Sequence, residues 1–197
     1  MTRTIRSILL AAAIAIITPA CQAQVFLVHL TGPNESPPNA SPGVGDSVIT
    51  LNQAANTLRV QVSFSGLLGT TTASHIHSAT PAPFTGTAGV ATTTPTFAGF
   101  PLGVTSGTYD NTLNLLDSSS YNPAFVTANG GTVASAEAAL INGMLSGESY
   151  LNIHTSVVPG GEIRGFLVQA VPEPGAVGLV GGLGVSGAVF ALRRRRR

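Results

Sequence analysis

The sequence predicts an all-β domain, an antiparallel Greek-key sandwich or barrel with one short helix, between an N-terminal signal helix and a C-terminal transmembrane helix. Three observations lead to this prediction. Short runs rich in β-branched and aromatic residues alternate with turn residues through the middle of the chain. Seven of the nine basic residues lie at the two ends, next to apolar runs. Only 9% of the 197 residues are charged, which argues against a basic nucleic-acid-binding protein.

The N-terminus has the layout of a secretory signal peptide. Two arginines precede the apolar run 8–17, and small residues follow it. We therefore assign residues 1–23 to the signal peptide, with cleavage between Ala23 and Gln24. Two alternatives stay open: an uncleaved anchor, although ten apolar residues are few for a hydrocarbon core, and lipidation of Cys21.

The C-terminus ends in an uncharged stretch followed by five arginines. Residues 175–192 would be about 27 Å long as a helix, close to the thickness of a hydrocarbon core. A VPEP motif begins at Val171 and overlaps the start of the segment 172–197. This segment resembles the PEP-CTERM sorting signal of Gram-negative bacteria. Its sorting residues are Pro172, Glu173, Pro174, Arg193, Arg194, Arg195, Arg196 and Arg197.

The PEP-CTERM resemblance implies two partners and a route of export. In that family a membrane-embedded exosortase recognises and removes the tail of exported proteins, in organisms that make extracellular polysaccharide. The chain is therefore expected to pass the inner membrane, to be held there transiently by its C-terminal helix, and to reach the cell surface or the extracellular matrix.

The mature domain, residues 24–171, is acidic. It contains two arginines and seven acidic residues, a formal net charge of −5. Removal of the signal peptide also leaves it without cysteine, so disulfides and thiolate metal ligands are excluded.

Seven strands and one helix are predicted within this domain. Alternation is clearest in residues 58–64, where every second residue is apolar. The helix is predicted at 135–145, with Ser135 as N-cap, and the Thr/Pro/Gly-rich residues 80–101 form a long connection. The predicted strands are 25–30, 46–51, 57–64, 73–77, 103–109, 149–155 and 163–170.

Three of these strand segments share a polar–Ile–polar pattern: 75–77 (HIH), 152–154 (NIH) and 162–164 (EIR). Side chains alternate between the two faces of a strand. Each isoleucine is therefore predicted in the core, while its polar neighbours share the opposite face. If the strands are close together, three histidines, an asparagine and an ion pair meet there.

Two hypotheses fit this polar face. In the first, His75, His77 and His154 offer imidazole ligands to Zn²⁺ or Cu²⁺. In the second, the face is a structural network of hydrogen bonds.

The structural hypothesis includes an ion pair between Arg164 and either Glu162 or Glu35. The fourth histidine of the chain, His29 on the first strand, is expected to be a lone surface or core residue.

The same segments resemble the CHRD domain, first described in chordin. The matching motifs are, in order, 31–38 (TGPNESPP), 66–67 (GL), 75–77 (HIH), 150–155 (YLNIHT) and 159–165 (PGGEIRG). The polar motif residues are Glu35, Asn152, Glu162 and Arg164. Ser78 departs from the family, which usually has glycine after the HxH motif.

The CHRD resemblance implies an extracellular domain without an established enzyme activity. We therefore expect a non-enzymatic cell-surface or matrix protein that is processed by an exosortase and associates with extracellular polysaccharide or another surface protein. The alternative is a small secreted metal-binding protein or metalloenzyme, similar to a superoxide dismutase, that uses the histidines. Neither function involves nucleic acid.

Overall fold

The computed structural model describes residues 23–170. The predicted signal peptide up to residue 22, the membrane helix 175–192 and all eight sorting residues lie outside the described residues. Within residues 23–170, no helix combines the length and the apolar character that crossing a membrane requires.

Eight strands form one antiparallel sheet. The strands are β1 (Gln24–Thr31), β2 (Val44–Asn52), β3 (Thr57–Ser65), β4 (Thr71–His77), β5 (Gly107–Asn114), β6 (Tyr150–Thr155), β7 (Ile163–Phe166) and β8 (Val168–Gln169). Their order is β4-β6-β7-β1-β2-β3-β5, and β8 also pairs with β1. Two helices, α1 (Pro123–Ala128) and α2 (Val133–Leu145), lie between β5 and β6.

The all-β antiparallel prediction is confirmed. The predicted alternatives were a Greek-key sandwich and a Greek-key barrel, and the strands form one curled sheet, a half-barrel. At one end the segment just before the edge strand β5 approaches the beginning of β4, the other edge strand, and the residues before it. The Thr71 N–H donates to the Val104 carbonyl at 2.8 Å, and the Leu67 N–H donates to the Thr105 carbonyl at 3.2 Å. A curled sheet buries one face of every strand, as a sandwich does, so alternation alone does not distinguish the two.

Several element boundaries also differ from the predictions. β5 begins four residues and ends five residues later than predicted, and it includes the polar sequence YDNTLN, which suits an edge strand. The last predicted strand is divided into β7 and β8. The long helix begins at Val133, because Thr132 is its N-cap and forms a capping box with Ser135. The short helix α1, with Asn122 as N-cap and Pro123 at its first position, was not predicted.

The hydrophobic core lies on one face of the sheet. Side chains from β1, β2 and β3, such as Phe26, Ile49 and Val60, are fully buried there. Leu140 of α2 and Phe97 of the long connection pack against the same cluster. The sheet is therefore covered on this face by the helix and the connection.

Candidate metal centre

The polar–Ile–polar segments meet as predicted, because β4, β6 and β7 are neighbours in the sheet. The register places His75 opposite Asn152, and Asn152 opposite Arg164. The three isoleucines of the pattern, Ile76, Ile153 and Ile163, are all fully buried in the core. The other side of these strands carries the polar face, which we define as His75, His77, Tyr150, Asn152, His154 and Arg164.

The three histidines of this face form a compact histidine cluster: His75, His77 and His154. One ring nitrogen from each lies within 4.8 Å of those of the other two. The His75 ring centroid is 4.9 Å from that of His77 and 4.7 Å from that of His154. Within residues 23–170 this is the one group of three or more His, Cys, Asp or Glu side chains close enough to hold a metal ion.

Backbone carbonyls orient two of the rings. His77 Nδ1 lies 2.8 Å from the Ala88 carbonyl, and His154 Nδ1 lies 2.8 Å from the Pro159 carbonyl. A carbonyl only accepts hydrogen bonds, so each Nδ1 carries the proton and each Nε2 has a free lone pair. This arrangement is typical of metal-ligating histidines, whose second nitrogen donates to a carbonyl or carboxylate.

The cluster also contains unsatisfied polar atoms. Across the described residues, four buried side-chain nitrogen or oxygen atoms have no hydrogen-bond partner, and all four lie on this face. They are His75 Nδ1, His77 Nε2, His154 Nε2 and Asn152 Oδ1. Buried polar groups in proteins are normally paired, so a concentration of unpaired imidazole nitrogens makes this face a candidate binding site.

The histidines are held in the neutral form. Burial lowers the pKa of His75 to about 3 and that of His77 to about 4, and it also lowers the pKa of His154. Desolvation disfavours the charged imidazolium in each case. Because only neutral imidazole binds a metal ion, the cluster is ready to ligate at neutral pH without losing protons.

A buried ion pair lies beside the cluster. Arg164 Nε is 3.8 Å from Glu35 Oε2, and Asn152 Nδ2 donates to Glu35 Oε1 at 2.8 Å. The guanidinium carbon of Arg164 lies 4.7 Å from the centroid of the Tyr150 ring, which in turn stacks on His77. Burial raises the pKa of Glu35 to about 7 despite the nearby arginine. Of the two partners predicted for Arg164, Glu162 and Glu35, the structure therefore shows the ion pair with Glu35.

Glu162 does not join the polar face, contrary to the sequence prediction. Its carboxylate is fully buried and binds a separate set of donors. They are the Ser41 and Thr155 hydroxyls and the Leu68 and Gly69 N–H groups. Burial opposes ionisation, but these four hydrogen bonds together lower the pKa of Glu162. The prediction failed because Glu162 precedes β7, where strict alternation does not yet apply.

The turn between β6 and β7 covers one side of the cluster. Gly161 has φ +130°, and a Cβ there would lie 2.5 Å from Asn152 Nδ2 and 2.7 Å from Glu35 Oε1. Glycine therefore allows the turn to approach the polar face closely. The same turn supplies the Pro159 carbonyl that orients His154.

His29 lies outside the cluster, as expected for a lone histidine. It is exposed and its Nδ1 is 2.8 Å from Asp46 Oδ1. Ser78, the departure from the family pattern, is buried and accepts a hydrogen bond from the Ser149 hydroxyl at 2.9 Å. Neither residue adds a potential metal-ligating atom to the group of three histidines.

Sequence reasoning missed three contributors to the site. Tyr150 covers His77, and its signal was its period-2 spacing with Asn152 and His154 on one strand. The carbonyls of Ala88 and Pro159 had no sequence signal, because every residue has a backbone carbonyl. Three imidazole nitrogens without a carboxylate or thiolate form a donor set suited to Zn²⁺ or Cu²⁺.

Comparison with known families supports the resemblance. The family model of the CHRD domain matches residues 26–167, nearly all of the residues that the structure describes. Comparisons with curated proteins and with solved structures found no match. The match includes every strand that forms the polar face. The chain therefore belongs to the CHRD domain family.

Proposed function

We propose that this chain is an exported, non-enzymatic CHRD domain protein that binds a divalent transition-metal ion, Zn²⁺ or Cu²⁺, through His75, His77 and His154. The observation that carries the proposal is that, in the described part of the chain, three of the four buried side-chain nitrogen and oxygen atoms without partners belong to this cluster. Two rings are already fixed with Nε2 free, so little rearrangement is needed on binding. CHRD family membership is consistent with the export that the proposal requires.

Thermal and chemical unfolding of the purified protein tests the metal site. A ligand that binds only the native state stabilises it by about 2.7 kcal/mol at a concentration of 100 times its Kd. Zn²⁺ or Cu²⁺ should therefore raise the melting temperature of wild type after treatment with a chelator. His154→Ala should lose this increase, and His29→Ala, which changes the exposed histidine, should keep it. Equal increases in wild type and His154→Ala would reject the site.

The pH dependence of metal binding gives a second test. Because the pKa values of His75 and His77 are about 3 and about 4, protons compete with the metal only in acid. The metal-induced stabilisation should therefore persist well below the ordinary histidine pKa of about 6.5. A loss of binding centred near pH 6.5 would contradict this expectation.

The proposal also includes processing at both ends. The tail after residue 171 supports it by its sequence, which has the order of motif, apolar helix and arginine cluster. We propose that an exosortase removes this tail and that the mature protein associates with extracellular polysaccharide or another surface protein. Mass spectrometry of material from the native host should show a start at Gln24 and loss of Arg193 to Arg197. An intact tail on exported protein would overturn this part.

A metalloenzyme is the second candidate, because a centre with three histidines resembles catalytic zinc sites in its number of protein ligands. We propose binding without turnover. Copper-loaded and zinc-loaded protein should show no superoxide dismutation above the free metal in a standard assay. Activity that disappears in His154→Ala would replace the binding proposal with the enzymatic one.

A further inference from the structure

Among the described residues, the histidine cluster supplies three imidazole ligands and no fourth ligand from a His, Cys, Asp or Glu side chain. Within residues 23–170, no carboxylate or thiol belongs to the same group of potential ligands. The nearby Tyr150 hydroxyl is already hydrogen-bonded to the Ala88 carbonyl at 3.3 Å. Structural zinc sites are closed by four protein ligands, whereas sites that bind an external ligand use three.

The charges around the cluster leave the ion uncompensated. All three ligands are neutral imidazoles, so a divalent ion keeps its full double charge. The charged pair beside the cluster, Arg164 and Glu35, lies 3.8 Å apart, and because the pKa of Glu35 is raised to about 7, this pair adds no net negative charge. A bound ion is then the largest local charge in a poorly solvated site, and an anion at the fourth position would offset it.

The rings of the cluster differ in exposure, although their unpaired nitrogens are all buried. His77 and His154 are partly exposed, whereas His75 is buried. An external group would therefore approach the ion by passing the partly exposed rings of His77 and His154.

Building on the proposed metal binding, we propose that the ion keeps an open fourth coordination position, and that this position binds an external carboxylate. Carboxylate oxygen is one of the three donor types that Zn²⁺ takes in proteins, and it is the type this donor set lacks. The carboxylate can belong to a free small acid or to a repeating acidic unit of a polymer. These two sources share one chemistry and are separated by experiment.

Cobalt substitution tests this inference, because Co²⁺ occupies zinc sites and its visible spectrum reports coordination. Purified protein loaded with Co²⁺ should change its spectrum on titration with acetate at constant ionic strength. A parallel titration with polyglucuronate distinguishes a free small acid from an acidic polymer as the source of the carboxylate. A response to acetate alone assigns the site to free acids, and a response to both extends it to polymers. Bound Co²⁺ with no response to either overturns the inference, whereas failure to bind Co²⁺ overturns the proposed function itself.

A matched pair of variants locates the anion at the metal. Ala73 lies two residues before His75 on the same face of β4 and directly opposite His154. Ala73→Asp should supply the fourth ligand from the protein, tighten Co²⁺ binding and abolish the response to acetate. Thr72→Asp adds the same charge at the exposed neighbouring position and should keep the response. If Ala73→Asp binds Co²⁺ more tightly yet responds to acetate as wild type does, the anion binds elsewhere and the inference is wrong.

Discussion

Two buried polar regions of this domain differ in how completely their atoms are paired. The Glu162 carboxylate is fully buried, and four donors from three separate segments satisfy it. The histidine cluster is on the opposite side of the sheet from the core isoleucines, and one nitrogen of each ring has no partner. A satisfied buried charge holds chain segments together, whereas unsatisfied groups persist where a ligand completes them. The comparison indicates a structural role for Glu162 and supports the binding role that we propose for the cluster.

The two buried glutamates show the same contrast through their pKa values. Glu162 has enough donors to overcome its desolvation, and its pKa is lowered. Glu35 is also buried, but its pKa is raised to about 7, because Arg164 and Asn152 do not compensate for desolvation. Burial alone therefore does not determine the charge of a carboxyl group. The number of hydrogen-bond donors around the carboxyl group determines whether it is ionised.

The largest effect is expected from Glu162→Gln. The substitution replaces one acceptor oxygen by an NH₂ group, so two of the four donors would face another donor. Hydrogen bonds to a charged group contribute about 1.5–3 kcal/mol each, so we expect a loss of about 3–5 kcal/mol in the free energy of unfolding. Urea denaturation at neutral pH measures it.

The control for this prediction is Glu35→Gln under the same conditions. Because the pKa of Glu35 is about 7 in the folded protein and about 4.5 in the unfolded chain, the carboxyl group lowers the stability of wild type at pH 7, so a neutral amide should leave the free energy of unfolding unchanged or raise it by up to about 3 kcal/mol. Similar losses for the two variants would remove the distinction between the regions.

The second prediction concerns the pH dependence that Glu35 contributes. Its pKa is about 7 in the folded protein against an ordinary value of 4.5, so folding favours the protonated form. The contribution of Glu35 to stability is therefore fully present below about pH 4.5 and is lost as the pH rises to about 7. Relative to Glu35→Gln, wild type should lose about 2–4 kcal/mol over this range. Parallel stability profiles of the two proteins would show that the pKa of Glu35 is not raised.

The third prediction concerns His75 in the metal-free protein. Its ring is buried and contains an unpaired nitrogen, so its replacement by an apolar side chain of similar size removes a desolvation cost. His75→Leu should leave the free energy of unfolding unchanged or raise it by up to about 1 kcal/mol at pH 7 without metal. The same variant should lose the metal-induced stabilisation. A strongly destabilised apoprotein would mean that the histidine is a structural residue.

The smallest effect is expected at the exposed histidine. His29 contacts Asp46 at the surface, and substitutions at such positions usually change stability by less than about 0.5 kcal/mol. His29→Ala should match wild type in both its metal-free melting temperature and its metal-induced increase. A reduced increase would indicate that metal ions also bind at His29, and the cluster would then not account for all binding.

The sequence by itself determined the all-β class and the two faces of β4, β6 and β7. Strict alternation assigned Ile76, Ile153 and Ile163 to the core, and all three are fully buried. The same alternation brought the three histidines to one face, since period 2 is a property of the strand backbone. The resemblance to the CHRD family also rested on residues alone, and the family match confirms it.

The tertiary structure decided the curvature of the sheet and the state of the polar groups. Whether strands form a sandwich or one curled sheet depends on long-range pairing, such as the contact of Thr71 with Val104, which no local pattern encodes. The partner of Arg164 and the position of Glu162 depended on which loops cover each end of the strands. The orientation of His77 and His154 comes from the carbonyls of Ala88 and Pro159, groups that every residue carries. Only folding selects which of these identical groups lies beside a given side chain.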